Sequence, residues 1–323
     1  MRRDNRWSGF AFAALLVAGG ASAEAQSTAP KVVATIKPVH ALVAQVMGET
    51  GAPALIVSGA ASLHSYALKP SDARLLADAD IVIRVSAGFE PFLAKTLKTL
   101  NKTTTIVSLL DAPGVTALTL RQDPNFEKHG HAKAEKKGHS HDHGDGSGGT
   151  TVDGHIWLDP TNAAAMVDQI AVALIARDPA RGDAYRANAA KAKVGIAALA
   201  QELDAGLKPL AGQPYIVLHD AYQYLERRYG LTPVGAITTS PEVPPSGKRL
   251  AALREKIRTL GAACIFSEPN FESKVVQSVA EGSRARTAQL DPEAITLAAG
   301  PDLYSALVRK MASSMRGCLL PSS

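Results

Sequence analysis

Short apolar runs alternate along this chain with stretches in which apolar residues return every three or four positions. Residues 31–36 (KVVATI), 54–57, 81–85 and 104–109 each predict a strand. Between them, helices are predicted at 39–47, ending at Gly48, from Pro70 to 79 with Ser71 or Asp72 as cap, and at 90–100. Strand–helix alternation of this kind marks an α/β layer with mostly parallel strands. The rhythm stops near Arg121. Residues 122–151 are rich in Gly, Lys and His, show no apolar periodicity and read as a long disordered insertion.

Order resumes at His155-Ile156-Trp157-Leu158-Asp159-Pro160. A helix is predicted at 161–176, broken by Asp178-Pro179, and an Ala-rich helix at 181–207. The second would be ~40 Å long, enough to run the length of a domain as a rigid connector. Alternation then restarts, with strands at 215–218, 232–236, 263–266 and 286–290 and helices at 221–229, 247–260, 272–282 and 302–315. The fold class expected is therefore α/β: two lobes with mostly parallel sheets joined by a long rigid linker helix. The layout is an N-terminal lobe at 24–160 carrying the insertion, helices at 161–208 and a C-terminal lobe at 209–323. No internal sequence repeat supports the division.

The first residues stand apart from this pattern. Arg2, Arg3 and Arg6 precede an apolar run from Phe10 to Ala18, and Ala21-Ser22-Ala23 supplies a small-x-small cleavage signal. Residues 1–23 read as a secretory signal peptide, with the cut after Ala23 or after Ala25. Its removal takes the formal charge from +5 to +3, because three Arg and one Asp leave with it. No later run is long and apolar enough for a membrane span, so a soluble exported protein is expected. The mild positive charge and the lack of a basic block with aromatics exclude nucleic acid as an obvious partner.

Export changes the reading of the two cysteines. In an oxidising compartment Cys264, at the start of an apolar run, and Cys318, near the C-terminus, either bridge or remain two buried thiols. A bridge would tie the last helix to a core strand and stabilise the fold by ~4 kcal/mol on the chain-entropy model.

The nine histidines are the informative set. His219 directly follows a predicted strand, and Asp291 directly follows another at the equivalent end. His64 lies in the loop after the strand at 54–57, and His155 stands at the junction between the lobes. Ligands of open parallel sheets bind beyond the C-terminal ends of the strands, so these residues could face one cleft. Three imidazoles with a carboxylate or a water in fourth place suit zinc. A lone histidine at such a place is more often a hydrogen-bonded cap, and His40, in the first turns of a helix, is read that way. Inside the insertion, His129, His131, His139, His141 and His143, with Asp142 and Asp145, form a flexible donor set. Secondary metal contact of modest affinity and poor selectivity is expected there, an incidental polar linker being the alternative. HExxH, GxGxxG after a strand, a P-loop and GxSxG are all absent.

Several segments in the right order resemble one family. They are His64-Ser65-Tyr66-Ala67-Leu68-Lys69-Pro70-Ser71-Asp72, Gly154-His155-Ile156-Trp157-Leu158-Asp159-Pro160, Leu218-His219-Asp220-Ala221-Tyr222 with Tyr224-Leu225-Glu226, Phe266-Ser267-Glu268-Pro269-Asn270-Phe271, and Leu290-Asp291-Pro292. Over nearly all of its length after the signal peptide the chain resembles the ZnuA-like zinc-binding proteins of bacterial ABC transporters, within the cluster A-I group. The resemblance implies that His64, His155 and His219 bind Zn2+, and that Asp291 matches a carboxylate that is a ligand in manganese and iron relatives. Where manganese relatives usually carry Glu, this chain has His219, which points to zinc. Some zinc members have Glu directly before the first histidine, and this chain has Leu63. The resemblance further implies a Cys264–Cys318 disulfide, limited hinge motion about the long helix, and a location in the Gram-negative periplasm.

The function expected is a monomeric binding protein, not an enzyme. It would capture Zn2+ between its lobes and deliver it to an ABC permease driven by its ATPase. Manganese or iron as native ion is the second reading, and His219 speaks against it. A secreted zinc hydrolase is the third. It needs a base, and only Glu242 or Glu268 offer one without a supporting motif. A histidine site should also lose affinity as the pH drops below about 6.5, because zinc requires neutral imidazoles.

Overall fold

The computed structural model describes residues 28–59, 62–121, 126, 152–238, 244–269, 271 and 273–320, apart from the side chains of His64 and Ser273. The expected signal peptide, Glu242 and the five insertion histidines lie outside the described residues. Four parallel strands, β1 (Val32–Ile36), β2 (Ala54–Val57), β3 (Ile81–Arg84) and β4 (Thr105–Ser108), form one sheet in the order β2-β1-β3-β4. Every residue of β1 is buried, as a central parallel strand covered on both faces requires. Helix α1 (Lys37–Met47) follows β1 without a loop, and Pro38 fits its first turn because a helix leaves that N–H unused. Helix α2 (Pro70–Ala77) is capped by Asp72, whose carboxylate accepts from Lys69 N at 2.9 Å and Tyr66 Oη at 2.8 Å.

The helix expected at 90–100 shrinks to a 3-10 turn and one α-turn, α3 (Ala94–Leu97). Thr99 closes it early, its backbone N–H and hydroxyl both donating to the Thr96 carbonyl. A two-residue antiparallel hairpin, β5 (Leu118–Thr119) with β6 (Val152–Asp153), escaped sequence reading because strands this short have no period to detect. It places the insertion between two paired strands.

Two long helices follow, α4 (Pro160–Arg177) and α5 (Gly182–Leu207). Asp159 caps α4 by accepting from Thr161 N at 2.8 Å. The 26 residues of α5 span about 39 Å and pack along α4 and α1. The second sheet then forms from β7 (Pro214–Val217), β8 (Thr232–Ala236), β9 (Cys264–Ser267) and β10 (Arg286–Gln289), all parallel, in the order β10-β9-β7-β8. With α6 (Gln223–Tyr229), α7 (Gly247–Leu260) and α8 (Ser273–Ala280), the chain closes on α9 (Leu303–Leu319), which packs on α5, α1 and β10.

The main core is continuous across both lobes. It joins Val33, Leu42 and Ile83 of the first lobe to Tyr215, Phe266, Leu307 and Met311 of the second. A smaller core fills the far face of the second sheet, with Ile216, Ile265, Leu253 and Val279. Shared apolar burial of this kind resists wide separation of the lobes. Cys264 and Cys318 form a disulfide that ties β9 to α9. Among the described residues no helix is long and apolar enough to cross a membrane.

Candidate metal centre

The strand β7 ends at Val217, and two residues on His219 emerges buried, 2 % exposed, beyond the C-terminal edge of the sheet. Its neighbour in the sheet, β9, ends at Ser267 and delivers Glu268 to the same edge. Glu268 Oε1 lies 2.7 Å from His219 Nδ1 and also accepts the Tyr222 hydroxyl at 3.0 Å. Burial alone would lower the His219 pKa. The Glu268 charge and hydrogen bond, aided by Glu293 and Asp220, outweigh it and leave the pKa raised.

The second imidazole comes from the other lobe. His155 follows the hairpin strand β6, and Asp153 Oδ1 accepts both its backbone N–H at 3.0 Å and its Nδ1 at 2.7 Å. A carboxylate can only accept, so Nδ1 carries the hydrogen on both rings and the buried Nε2 atoms present the lone pairs. The two rings lie 5.5 Å apart between centroids, one from each lobe. Phe89 packs its edge on His155 at 5.1 Å, and Trp157 lies at 5.4 Å. Gly154 makes room for this packing, since a Cβ there would fall 2.1 Å from the Phe89 ring.

Residues of α6 and its N-terminal approach hold both halves of the centre. Tyr224 Oη donates to the Asp153 carbonyl at 2.6 Å and accepts from Leu118 N at 3.0 Å, bracing both strands of the hairpin. Arg121, next to that hairpin, pairs with Asp220 at 2.8 Å and Glu226 at 2.6 Å. Burial pushes the Asp220 carboxyl up to about 7, against the pull of Arg121.

Of the residues singled out in the sequence, His155 and His219 are brought together. His64 sits on a 3-10 turn, Leu63–Ser65, and its side chain lies outside the described residues. Asp291 is buried with its carboxylate engaged by Ile295 N (2.8 Å), Thr296 N (2.8 Å) and Thr296 Oγ1 (2.6 Å). His40 is half-buried, its Nε2 3.1 Å from the Pro53 carbonyl, as a structural histidine should be. Sequence reading missed the orienting carboxylates. Asp153 stands two residues before His155, and Glu268 occupies the strand-end position already used to pick out His219. It also missed Glu293, whose Oε2 accepts from Leu63 N at 3.2 Å and which burial pushes up to about 8.

The donor chemistry of this arrangement is of the kind that suits a borderline-soft cation. Two imidazoles, which bind such a cation only in their neutral form, lie 5.5 Å apart between ring centroids, each oriented by a carboxylate that raises its basicity.

A family model described as "Zinc-uptake complex component A periplasmic" (ZnuA) matches residues 32–318. The chain is 40 % identical over 310 residues to the high-affinity zinc uptake system protein ZnuA of Brucella abortus, covering 89 % of this chain and 91 % of the relative. It is 38 % identical over 314 residues to the protein of the same name from Paracoccus denitrificans, covering 93 % and 95 %. Among solved structures, a crystal structure of ZnuA superposes with a TM-score of 0.71 at 25 % identity, covering 89 % of this chain and 99 % of that one. A zinc-bound ZnuA deletion mutant gives 0.72 at 24 % identity, covering 91 % and 100 %, and speaks for the fold alone.

Proposed function

The chain belongs to the ZnuA family of periplasmic zinc-uptake components, and on that premise we propose that it is a carrier that captures Zn2+ between its lobes and delivers it to an ABC permease and its ATPase. Its relatives carry the name of a high-affinity zinc uptake protein. The observation that carries the reading is the pairing of His155 and His219 across the lobe boundary, each with Nδ1 held by a carboxylate at 2.7 Å. His64, on its turn, supplies the third imidazole. A water or a carboxylate, Asp291 among the candidates, takes the fourth place of a tetrahedral site. The insertion histidines form a separate, weaker set, and the protein works in the Gram-negative periplasm as a monomer.

The reading makes Glu268 an orienting residue and not a base, because its Oε1 is committed to His219 and Tyr222. Zinc titration against a competing chelator, on the mature chain, tests the proposal. One tight ion is expected in the wild type and after deletion of residues 127–145, and none in His219→Ala. Tight binding lost on deletion of the insertion would contradict it.

A further inference from the structure

Strands β1 and β7 hold the same place in their two sheets, each between the strand that follows it in sequence and the one after that. β7 leads into His219, and β1 leads directly into Lys37, the first residue of α1. Lys37 is only 8 % exposed. Its ammonium crosses to the second lobe and donates to the carbonyls of Ala294 (3.2 Å), Ile295 (2.9 Å) and Leu297 (2.9 Å). An ammonium has three hydrogens, so all its donors are spent on this one loop. The loop is shaped to receive it. Asp291 gathers the N–H groups of Ile295 and Thr296, each at 2.8 Å, while Lys37 gathers the carbonyls. Between them Ala294 is fully buried at φ +58°, in the left-handed region that a residue with a Cβ seldom enters. Such a residue persists only where its surroundings over-determine it.

A second bond from the first lobe meets the same loop. Trp157 Nε1 donates to the Pro292 carbonyl at 2.9 Å, and the Trp157 carbonyl accepts the Tyr304 hydroxyl of α9 at 3.0 Å. Trp157 stands two residues after His155 and 5.4 Å from its ring. The segment that carries His155 is thereby fastened to the loop that Lys37 holds. Fixed spacing matters to a metal because ions differ in the shell they demand. Zn2+ takes four donors at about 2.0–2.3 Å, whereas Mn2+ favours six, mostly oxygen. Proteins select among such ions by geometry more than by raw affinity. A cleft whose walls are tied together leaves no room for the larger shell.

We propose that Lys37 is a positioning residue that sets ion selectivity: by clamping the 291–297 loop of the second lobe to the first, it holds the cleft at the width of a four-coordinate ion and disfavours six-coordinate ones. The proposal rests on the reading of the cleft as a zinc site of His64, His155 and His219. Lys37 acts through the loop and touches no ion itself, since its three donors are committed.

Competition between Zn2+ and Mn2+ on the mature chain at pH 7.5 tests this, with Co2+ absorption reporting the coordination number. Lys37→Met keeps the aliphatic stem and removes the ammonium. The ratio of Zn2+ to Mn2+ affinity should fall about tenfold. The Co2+ spectrum should move from the strong bands of a four-coordinate ion toward the weak bands of a six-coordinate one. Gln45→Leu is the control. Gln45 Nε2 also crosses to the second lobe, donating to the Pro301 carbonyl at 2.6 Å, but about two turns further along α1. It should leave the ratio and the bands unchanged. A lower Tm in Lys37→Met at an unchanged ratio would make Lys37 a packing contact and overturn the proposal, as would an equal fall in Gln45→Leu. Should Lys37→Met fail to fold, Trp157→Phe removes the other bond to the loop and keeps a ring beside His155. A fallen ratio there would support the clamp, and an unchanged one would overturn it. Tight zinc in the parallel His219→Ala variant would instead overturn the three-histidine reading beneath it.

Discussion

In the first sheet β1 and β3 lie side by side where the strand order reverses, and β7 and β9 do the same in the second. The two lobes thus share one topology without a visible sequence repeat, and they use its switch point differently. In the second lobe, residues just past the strand ends are His219 and Glu268, an imidazole and a carboxylate turned toward the cleft. In the first lobe the corresponding neighbourhood holds Thr35 and Glu90, a hydroxyl donating to a fully enclosed carboxyl that also takes Ser86 N at 2.9 Å. The first lobe brings its histidines from elsewhere, on the turn after β2 and after the hairpin. Contacts from the second lobe, through Tyr224 to the hairpin and through Glu293 to Leu63, hold them in place. Topology makes a place where polar groups can converge, and residue type decides whether that place becomes a site or a seal.

The comparison breaks most readily at the histidines proposed as ligands. His219→Ala should cost zinc affinity about a thousandfold, near a third of the ~12 kcal/mol with which structural zinc sites bind. The matching change His155→Ala should cost about as much, since the two lobes contribute equivalent, carboxylate-backed imidazoles. A tenfold gap between them in the titration would mean that one lobe dominates capture.

Next in size is the staple found only in the second lobe. Replacing Cys264 and Cys318 together by Ala removes a cross-link over 54 residues and should cost about 4 kcal/mol on the chain-entropy model. Urea denaturation should show that loss, and hydrogen exchange should place it in β9 and α9 first.

The sealed pair of the first lobe should declare itself through pH. Burial pushes Glu90 up to about 7 from an ordinary 4.5, against the hydrogen bonds from Thr35 and Ser86. Across that window the unfolded chain has given up the proton while the folded chain keeps it. Stability from this group is therefore full below about 4.5 and falls by about 3 kcal/mol as the pH rises through 7. Glu90→Gln should flatten the fall by that amount in urea melts at pH 5 and pH 8. Equal slopes in the two proteins would contradict the assignment.

The smallest effect belongs to the orienting carboxylates. Glu268→Gln and Asp153→Asn should each weaken zinc about 10–100-fold, because the rings keep a partner at Nδ1 but lose its charge. A loss as large as that of His219→Ala would make either residue a ligand in its own right.

Strand positions were legible because apolar runs of four to six residues between turn signals leave little alternative, and β2 and β8 fall where the pattern puts them. Helix α9 ran on to Leu319, beyond its expected end, because Cys318 packs against β9 and rewards the extra turn. The hairpin β5–β6 was not legible, since its two strands are separated by the insertion and are too short for periodicity. His155 and His219 could be found from their strand-end and junction positions. Their carboxylate partners could not be chosen from sequence alone, because Asp153 is one of many acids near a turn and Glu268 is 49 residues from His219. Glu293 was harder still, 230 residues from the backbone it holds.

Zinc K-edge X-ray absorption on the mature chain loaded with one equivalent of Zn2+ tests the three-histidine cleft most directly. The account predicts a four-coordinate ion with three imidazole nitrogens at about 2.0 Å and one oxygen, dropping to two imidazoles in His219→Ala. A spectrum that fits fewer than three imidazoles in the wild type, or one that His219→Ala leaves unchanged, would contradict it.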